Sequence, residues 1–176
     1  MAKAKIDLDI ARTYAETVVK ALAPHCERIE IAGSIRRCKP EVGDIEIVAY
    51  PWHITNLFGV STGVTQLDMF NYELFGRVVK NGSKYKQIEM RVGINLDLFI
   101  VTPPAQWGVI FLIRTGPAEF SKKMVTHRLN GGELPFAYTV QEGAVWVDDV
   151  RIDTPEEQDF FDLCGMDFVP PEKRGL

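Results

Sequence analysis

Two acids two residues apart, Asp44 and Glu46, lie in the apolar run Gly43-Asp44-Ile45-Glu46-Ile47-Val48-Ala49. On a strand this spacing projects both carboxylates to one face. Like charges so close repel, and a hard divalent cation would relieve the cost. The same alternation also suits the solvent face of an edge strand, so the pattern alone leaves two readings open. Asp97, in Asn95-Leu96-Asp97-Leu98-Phe99, is a lone acid in an otherwise apolar strand. A carboxylate there needs a partner, whether a salt bridge, a hydrogen bond or a metal.

Upstream lies Gly33-Ser34-Ile35-Arg36-Arg37. A glycine and serine at a strand-to-helix turn offer free N–H groups, a hydroxyl and the positive end of a helix, which is a phosphate-binding arrangement. Arg36 and Arg37 add fixed charge and bidentate donors. A glycine turn with two surface arginines is the plainer alternative. Taken together, three carboxylates on two strands downstream of a phosphate turn match what in-line phosphoryl transfer on two metals requires.

The positioning elements follow from periodicity. Residues 7–23 carry Leu8, Ala11, Ala15, Val18, Val19 and Leu22 at helical spacing, ended by Pro24. Residues 28–32 alternate as a strand, and Ser34 is a good N-cap for a short helix through Arg37. A second strand runs from 44 to 50. Residues 51–63 read as a loop, and 66–79 as a helix with Leu67, Phe70, Leu74 and Val78 as its buried stripe. Asn81-Gly82 is a hairpin signal. Strands follow at 84–90 and 94–101, the second apolar enough to be central. Pro103-Pro104 breaks the chain. Helices are predicted at 106–114 and 118–129, a small hairpin at 138–140 and 144–147, and a last helix at 155–164 capped by Asp153 or Thr154.

Bulk properties bound the class. The 176 residues are 46% hydrophobic and 25% charged, an ordinary globular composition. No apolar run approaches the roughly 20 residues of a membrane span. The start, Met1-Ala2-Lys3-Ala4-Lys5, does not read as a signal peptide. Cys26, Cys38 and Cys164 are odd in number and far apart, so reduced thiols and a cytoplasmic location are expected. The net charge of −4 hides an asymmetry. From Lys80 to Arg128 eight Lys and Arg face three acids, whereas from Leu129 onward three face eleven. A basic middle beside an acidic tail suits a phosphate-attracting face, and equally a solvated charged surface.

The stretch Gly33-Ser34-Ile35-Arg36-Arg37, followed after six residues by Asp44-Ile45-Glu46-Ile47-Val48, resembles the signature of the polymerase beta nucleotidyltransferase superfamily. That pattern also occurs in nucleotidyltransferases that are not DNA polymerases. Thr115-Gly116-Pro117-Ala118-Glu119-Phe120-Ser121-Lys122-Lys123-Met124 is similar to the thumb motif of DNA polymerase family X, and the ending Phe168-Val169-Pro170-Pro171-Glu172-Lys173-Arg174 resembles the close of that thumb. The resemblance covers roughly residues 10–174, least well over 51–93.

The resemblance implies an α+β fold: a nucleotidyltransferase palm (1–103) with a mixed sheet flanked by helices, and a small helical thumb (104–176) with a hairpin. It implies a monomeric, DNA-directed DNA polymerase that fills gaps using dNTP and two Mg²⁺, with Mn²⁺ able to substitute. Primer-template or gapped DNA is the expected partner, with no membrane. The length leaves no room for the family's lyase and fingers domains, so lyase activity is not expected. By resemblance Asp44, Glu46 and Asp97 are the catalytic and metal-binding carboxylates, with Asp97 also helping to deprotonate the primer hydroxyl. Gly33, Ser34, Arg37 and Gly43 contact the triphosphate. Thr115 and Gly116 lie by the sugar, and Ser121 lies near the minor-groove edge. From the basic stretch between Lys80 and Arg128, Lys122, Lys123 and Arg128 are expected to contact DNA. A template-independent or small-molecule nucleotidyltransferase of the same fold is the alternative.

The chain departs from the pattern at several points. Glu46 stands where the family has Asp, Asn95 where an Arg is expected, Ile113-Arg114 where an aromatic precedes Thr-Gly, Ser121 for Asn, and Val125 where an Arg often supports the template base. The extra methylene of Glu46 moves its carboxylate by roughly 1 Å. Arg114 has two open roles: hydrogen-bonding a 2′-hydroxyl at the sugar, or pointing outward to a DNA phosphate.

Overall fold

A computed structural model describes residues 4–175. The chain begins with β1 (Ile6–Asp7), α1 (Leu8–Leu22), β2 (Cys26–Ile31), α2 (Gly33–Arg36), β3 (Glu41–Val42) and β4 (Asp44–Pro51). Next come β5 (His53–Thr55), β6 (Ser61–Thr65), β7 (Gly76–Asn81), β8 (Tyr85–Met90) and β9 (Asn95–Ile100). The remainder holds α3 (Trp107–Thr115), α4 (Ala118–Val125), β10 (Thr139–Gln141), β11 (Ala144–Val147), β12 (Val150–Ile152) and α5 (Glu157–Leu163).

The central sheet has the order β2-β4-β9-β8-β7. β4 and β9 run parallel and every other neighbouring pair is antiparallel, so the sheet is mixed and the fold is α+β. The apolar run of β9 holds the middle position, with Leu96, Leu98 and Ile100 buried on one face. Alternation sorts the faces. Ile45, Ile47 and Ala49 of β4, Leu96, Leu98 and Ile100 of β9, and Ile88 of β8 are buried in one cluster with Ala11, Ala15, Val18 and Leu22 of α1. α1 starts where the Asp7 side chain accepts from the Asp9 N–H at 2.9 Å.

The opposite face carries Asp44, Glu46 and Asp97. One end of it is covered by α3, through Val48, Val101, Trp107 and Phe111. A separate cluster, with Val109, Leu112, Met124, Val145, Phe160 and Phe161 at its centre, binds α3, α4, α5 and the sheet β10-β11-β12 together.

Several expectations give way. Residues 66–79 are not a helix: short 3₁₀ turns at Gln66–Met69 and Tyr72–Leu74 lead into β7. The Asn81-Gly82 turn pairs this segment with β8, and the close approach needs Gly76, where a Cβ would stand 2.1 Å from the Glu89 carbonyl oxygen. Asn81 also accepts from the buried Lys86 ammonium at 2.8 Å. Of the proposed stripe, Leu67 is buried but Leu74 is exposed. The expected loop at 51–63 contains the β5–β6 hairpin.

α4 stops at Val125 because Thr126 turns extended and its carbonyl accepts from Leu134 N–H. The C-terminal hairpin gains a third strand, β12. Ser34 is not an N-cap: α2 is capped at Ala32, and Ser34 lies inside the helix. The last helix is capped by Glu156, in a capping box with Asp159, rather than by Asp153 or Thr154. Thr154 is instead buried, donating to the Gln106 side chain at 2.6 Å.

Candidate active site

Parallel pairing sets the carboxylates abreast: Glu46 is the register partner of Asp97, and Asp44 that of Asn95. Three acids on the two central strands therefore share the face that α3 leaves partly uncovered. β8 supplies the next column of that face, where Gln87 is the register partner of Asp97. Asp97 Oδ1 accepts from Tyr85 Oη at 2.7 Å and from Gln87 Nε2 at 2.9 Å. Both donors hold the Asp97 carboxylate in place. Neither was visible as a site residue in the sequence, because their role depends on which strand lies beside β9. The bond raises the Tyr85 phenol well above its ordinary range, after the larger effect of burial.

Glu46 reaches back toward the Gly33 turn. Gly33 has φ +60°, and a Cβ on it would stand 1.9 Å from Glu46 Oε2. The longer acid is thus accommodated where a residue has no side chain. Burial, then the charge of Asp44, then that of Asp97, raise the Glu46 carboxyl from 4.5 to about 7, against the pull of Arg37 and Arg114.

The Gly33 turn is anchored by Ala32 N–H donating to the Glu46 carbonyl at 2.8 Å. Ser34 Oγ is buried without a hydrogen-bond partner, as is Arg37 Nε. An orphaned hydroxyl and guanidinium N–H at a helix-initiating turn are what a phosphate would satisfy. Gly43 immediately precedes β4, between β3 and the first acid. Arg36 stacks on Phe111 at 3.9 Å and donates to Thr115 Oγ1 and Glu157 Oε2, each at 2.7 Å. Arg37 donates to the Thr115 carbonyl oxygen. The two arginines therefore fasten the Thr-Gly turn, between α3 and α4, to the Gly33 turn. Glu157 is another residue that sequence reasoning missed; it lies over a hundred positions away and has no local signature.

The remaining expected site residues are placed as follows. Thr115 is fully buried. Gly116 permits tight packing, since a Cβ there would meet Ser121 Oγ at 2.6 Å. Ser121 Oγ donates to the Ile113 carbonyl at 2.7 Å. Lys122 and Lys123 are exposed on α4, with Lys123 paired to Glu133 at 2.6 Å. Arg128 is exposed and donates to the Cys164 carbonyl. Arg114 stacks on Phe99 at 3.9 Å, on the carboxylate side of α3. Burial lowers its pKa, opposed by Glu46, Tyr85 and Asp97, which places it within their electrostatic reach.

Among the described residues no three His, Cys, Asp or Glu side chains are closed up into a metal-holding group. The donor set nonetheless suits a hard divalent cation. It is all carboxylate oxygen, and the mutual repulsion that raises Glu46 is a cost such an ion would offset.

No protein-family model and no curated sequence matches the chain. The fold is similar to the crystal structure of Leishmania infantum polymerase beta in its ternary P/T complex, with a TM-score of 0.71 and 17% identity, over 98% of this chain and 77% of that one. The chain has a polymerase beta-like fold.

Proposed function

We propose that the chain is a nucleotidyltransferase, a small DNA-directed DNA polymerase of the family X type that fills gaps, with a palm over 1–103 and a thumb over 104–176. The observation that carries this reading is the row of Asp44, Glu46 and Asp97 on one open sheet face, beside a turn whose Ser34 Oγ lacks a partner. The polymerase beta-like fold supports it.

In this reading Asp44, Glu46 and Asp97 would hold two Mg²⁺, or Mn²⁺ in their place, which when bound would supply Lewis-acid charge. The side chains do the positioning. Gly33 N–H, Ser34 Oγ, Arg37 and the Gly43 backbone take the phosphates of dNTP. Asp97, fixed by Tyr85 and Gln87, draws the proton from the primer 3′-hydroxyl as its oxygen attacks the α-phosphorus and pyrophosphate leaves. Thr115 and Gly116, held down by Arg36 and Arg37, set the sugar, with Ser121 beside the base edge. Lys122, Lys123 and Arg128 hold the DNA backbone.

Primer extension on gapped DNA, with and without a template and with Mg²⁺ or Mn²⁺, tests the proposal. Templated incorporation that disappears in Asp97→Asn is expected. Incorporation indifferent to template assigns the chain to the template-independent class, and no incorporation under any of these conditions refutes the reading.

A further inference from the structure

The stretch from Ile47 to Leu67 contains no Asp, Glu, Lys or Arg, in a chain that is 25% charged. Its centre is the β5–β6 hairpin, which leaves the body at the far end of β4 from Asp44, roughly 20 Å along the strand. The hairpin is rooted by Trp52 N–H, which donates to the His25 carbonyl at 3.0 Å, and by Gln66 N–H, which donates to the Trp52 carbonyl at 2.9 Å. Its tip is Asn56-Leu57-Phe58-Gly59-Val60. Asn56 braces that tip. Its N–H donates to the Val60 carbonyl at 2.9 Å, and its Oδ1 accepts from the Phe58 and Val60 N–H groups at 2.9 and 3.1 Å. On this braced turn Leu57 is fully exposed and Phe58 is 89% exposed. Two adjacent large apolar side chains held out on an uncharged tip differ from the scattered apolar residues of an ordinary surface.

A cavity of about 350 Å³ opens at the root of the same hairpin, lined by His25, Ile54, Gln66, Met69, Phe70 and Asn71. None of these is an acid, a lysine or an arginine. The Phe70 ring meets His25 edge to face at 5.5 Å, and Met69, the most adaptable apolar side chain of the set, is 75% exposed. A cavity of about 150 Å³ already holds a benzene ring. This one therefore takes a phenyl group with space for a leucine side chain beside it. β5 has three residues, so the tip stands about 10 Å from the root. A plug and a hole of matching chemistry thus sit at the two ends of one short element.

We propose that two copies of the chain form a closed dimer through this face, in place of the monomer that the family resemblance implies. The two hairpins lie antiparallel across a two-fold axis, and the tip of each copy enters the root cavity of the other. Plug and hole on one surface patch are what an isologous contact requires; a plug fitting a distant pocket would build an open chain instead. The patch is also where two copies of net charge −4 can approach without setting like charges against each other. A second copy suits the tip better than an anionic lipid surface, because the hairpin carries no Lys or Arg to be drawn to one. The catalytic carboxylates, at the other end of β4, stay open in the dimer. Nothing in this assignment depends on the polymerase reading.

Sedimentation velocity on the full chain tests this, over about 1–200 µM protein and at about 0.15 M and 1 M NaCl. A single step from monomer to dimer mass is expected, undiminished at high salt because the contact is apolar. Leu57→Ser/Phe58→Ser should weaken association at least about tenfold. Met69→Glu, which puts a charge at the cavity and leaves the tip intact, should do the same. These substitutions alter exposed side chains, so melting temperatures should match the wild type. Mixing the two variants should restore association stronger than either shows alone, since one intact tip then meets one intact cavity. A chain that stays monomeric throughout, association lost at high salt, species growing beyond the dimer, or a mixture no stronger than its components would each overturn the proposal. A monomer that instead sediments with phosphatidylcholine vesicles, and no longer does so when the tip is changed, assigns the hairpin to a lipid surface and likewise overturns it.

Discussion

Replacing Glu46 by Gln is expected to stabilise the metal-free protein by an amount that grows from about pH 4.5 to about 7 and is full above that. Burial and the neighbouring Asp44 and Asp97 raise this carboxyl from 4.5 to about 7. The folded protein therefore holds the proton more tightly than the unfolded chain. Below about 4.5 the group is protonated in both states, and its effect on stability is full and favourable relative to higher pH. As pH climbs from about 4.5 to about 7 that stability is lost progressively, because the unfolded chain ionises first and the folded state must follow; above about 7 the loss is complete. The rise from 4.5 to about 7 corresponds to about 3 kcal/mol. Gln has nearly the same shape and no proton to lose. It should match the wild type near pH 4 and exceed it by up to about 3 kcal/mol above pH 8, or roughly 6–12 °C in melting temperature for a domain of this size.

Urea and thermal unfolding at half-unit steps from about pH 4 to 8.5, in chelator, give the difference directly. Adding Mg²⁺ at pH 8 should then close much of the gap by stabilising the wild type more than the variant. A gap that does not change with pH would refute the electrostatic account of Glu46. A Gln variant less stable than the wild type at pH 8 would do the same, since it would show the carboxylate to be satisfied as it stands.

Asp44→Asn and Asp97→Asn should each reduce incorporation by more than about a thousandfold in single-turnover assays while the melting temperature holds or rises. Gly33→Ala should cost about 1–2 kcal/mol in urea unfolding for its left-handed backbone alone, with more added because its Cβ would stand 1.9 Å from Glu46 Oε2. Glu157→Gln leaves Arg36 and Arg174 to share a neutral partner, and calorimetry should show a loss of about 3–5 kcal/mol. Affinity for gapped DNA should fall steeply with salt, and charge reversal at Lys122 and Lys123 should lower both the affinity and the salt slope.

The legible part of the fold is where one periodicity prevails. The alternation in 44–50 and the apolar run around Asp97 have no competing interpretation as helices, so the strands, their faces and the central place of β9 could be read directly. In 66–79 the spacing of Leu67, Phe70, Leu74 and Val78 fits a helix locally. The deciding facts are non-local: the Asn81-Gly82 turn folds the segment onto β8, and Gly76 meets the Glu89 backbone across the pair. The same divide runs through the site. That three acids share a face follows from residue parity, whereas the donors to Asp97 depend on sheet order and the anchoring of Thr115 depends on Glu157 from α5.

Glu46 and Arg114 are best understood as a linked departure from the pattern this chain resembles. A longer acid carries its charge further from the strand, toward the Gly33 turn where the absence of a side chain makes room. That shift places a carboxylate in a more buried setting, which alone would favour its neutral form. A cation nearby offsets part of the cost, and Arg114 is positioned to supply it, stacked on Phe99 and within the fields of Glu46 and Asp97. An aromatic residue at position 114 would provide bulk but no charge. The guanidinium therefore answers first to the carboxylates, which weighs against its pointing outward to a DNA phosphate. Its own Nε is buried and lacks a partner, so it keeps an unused donor.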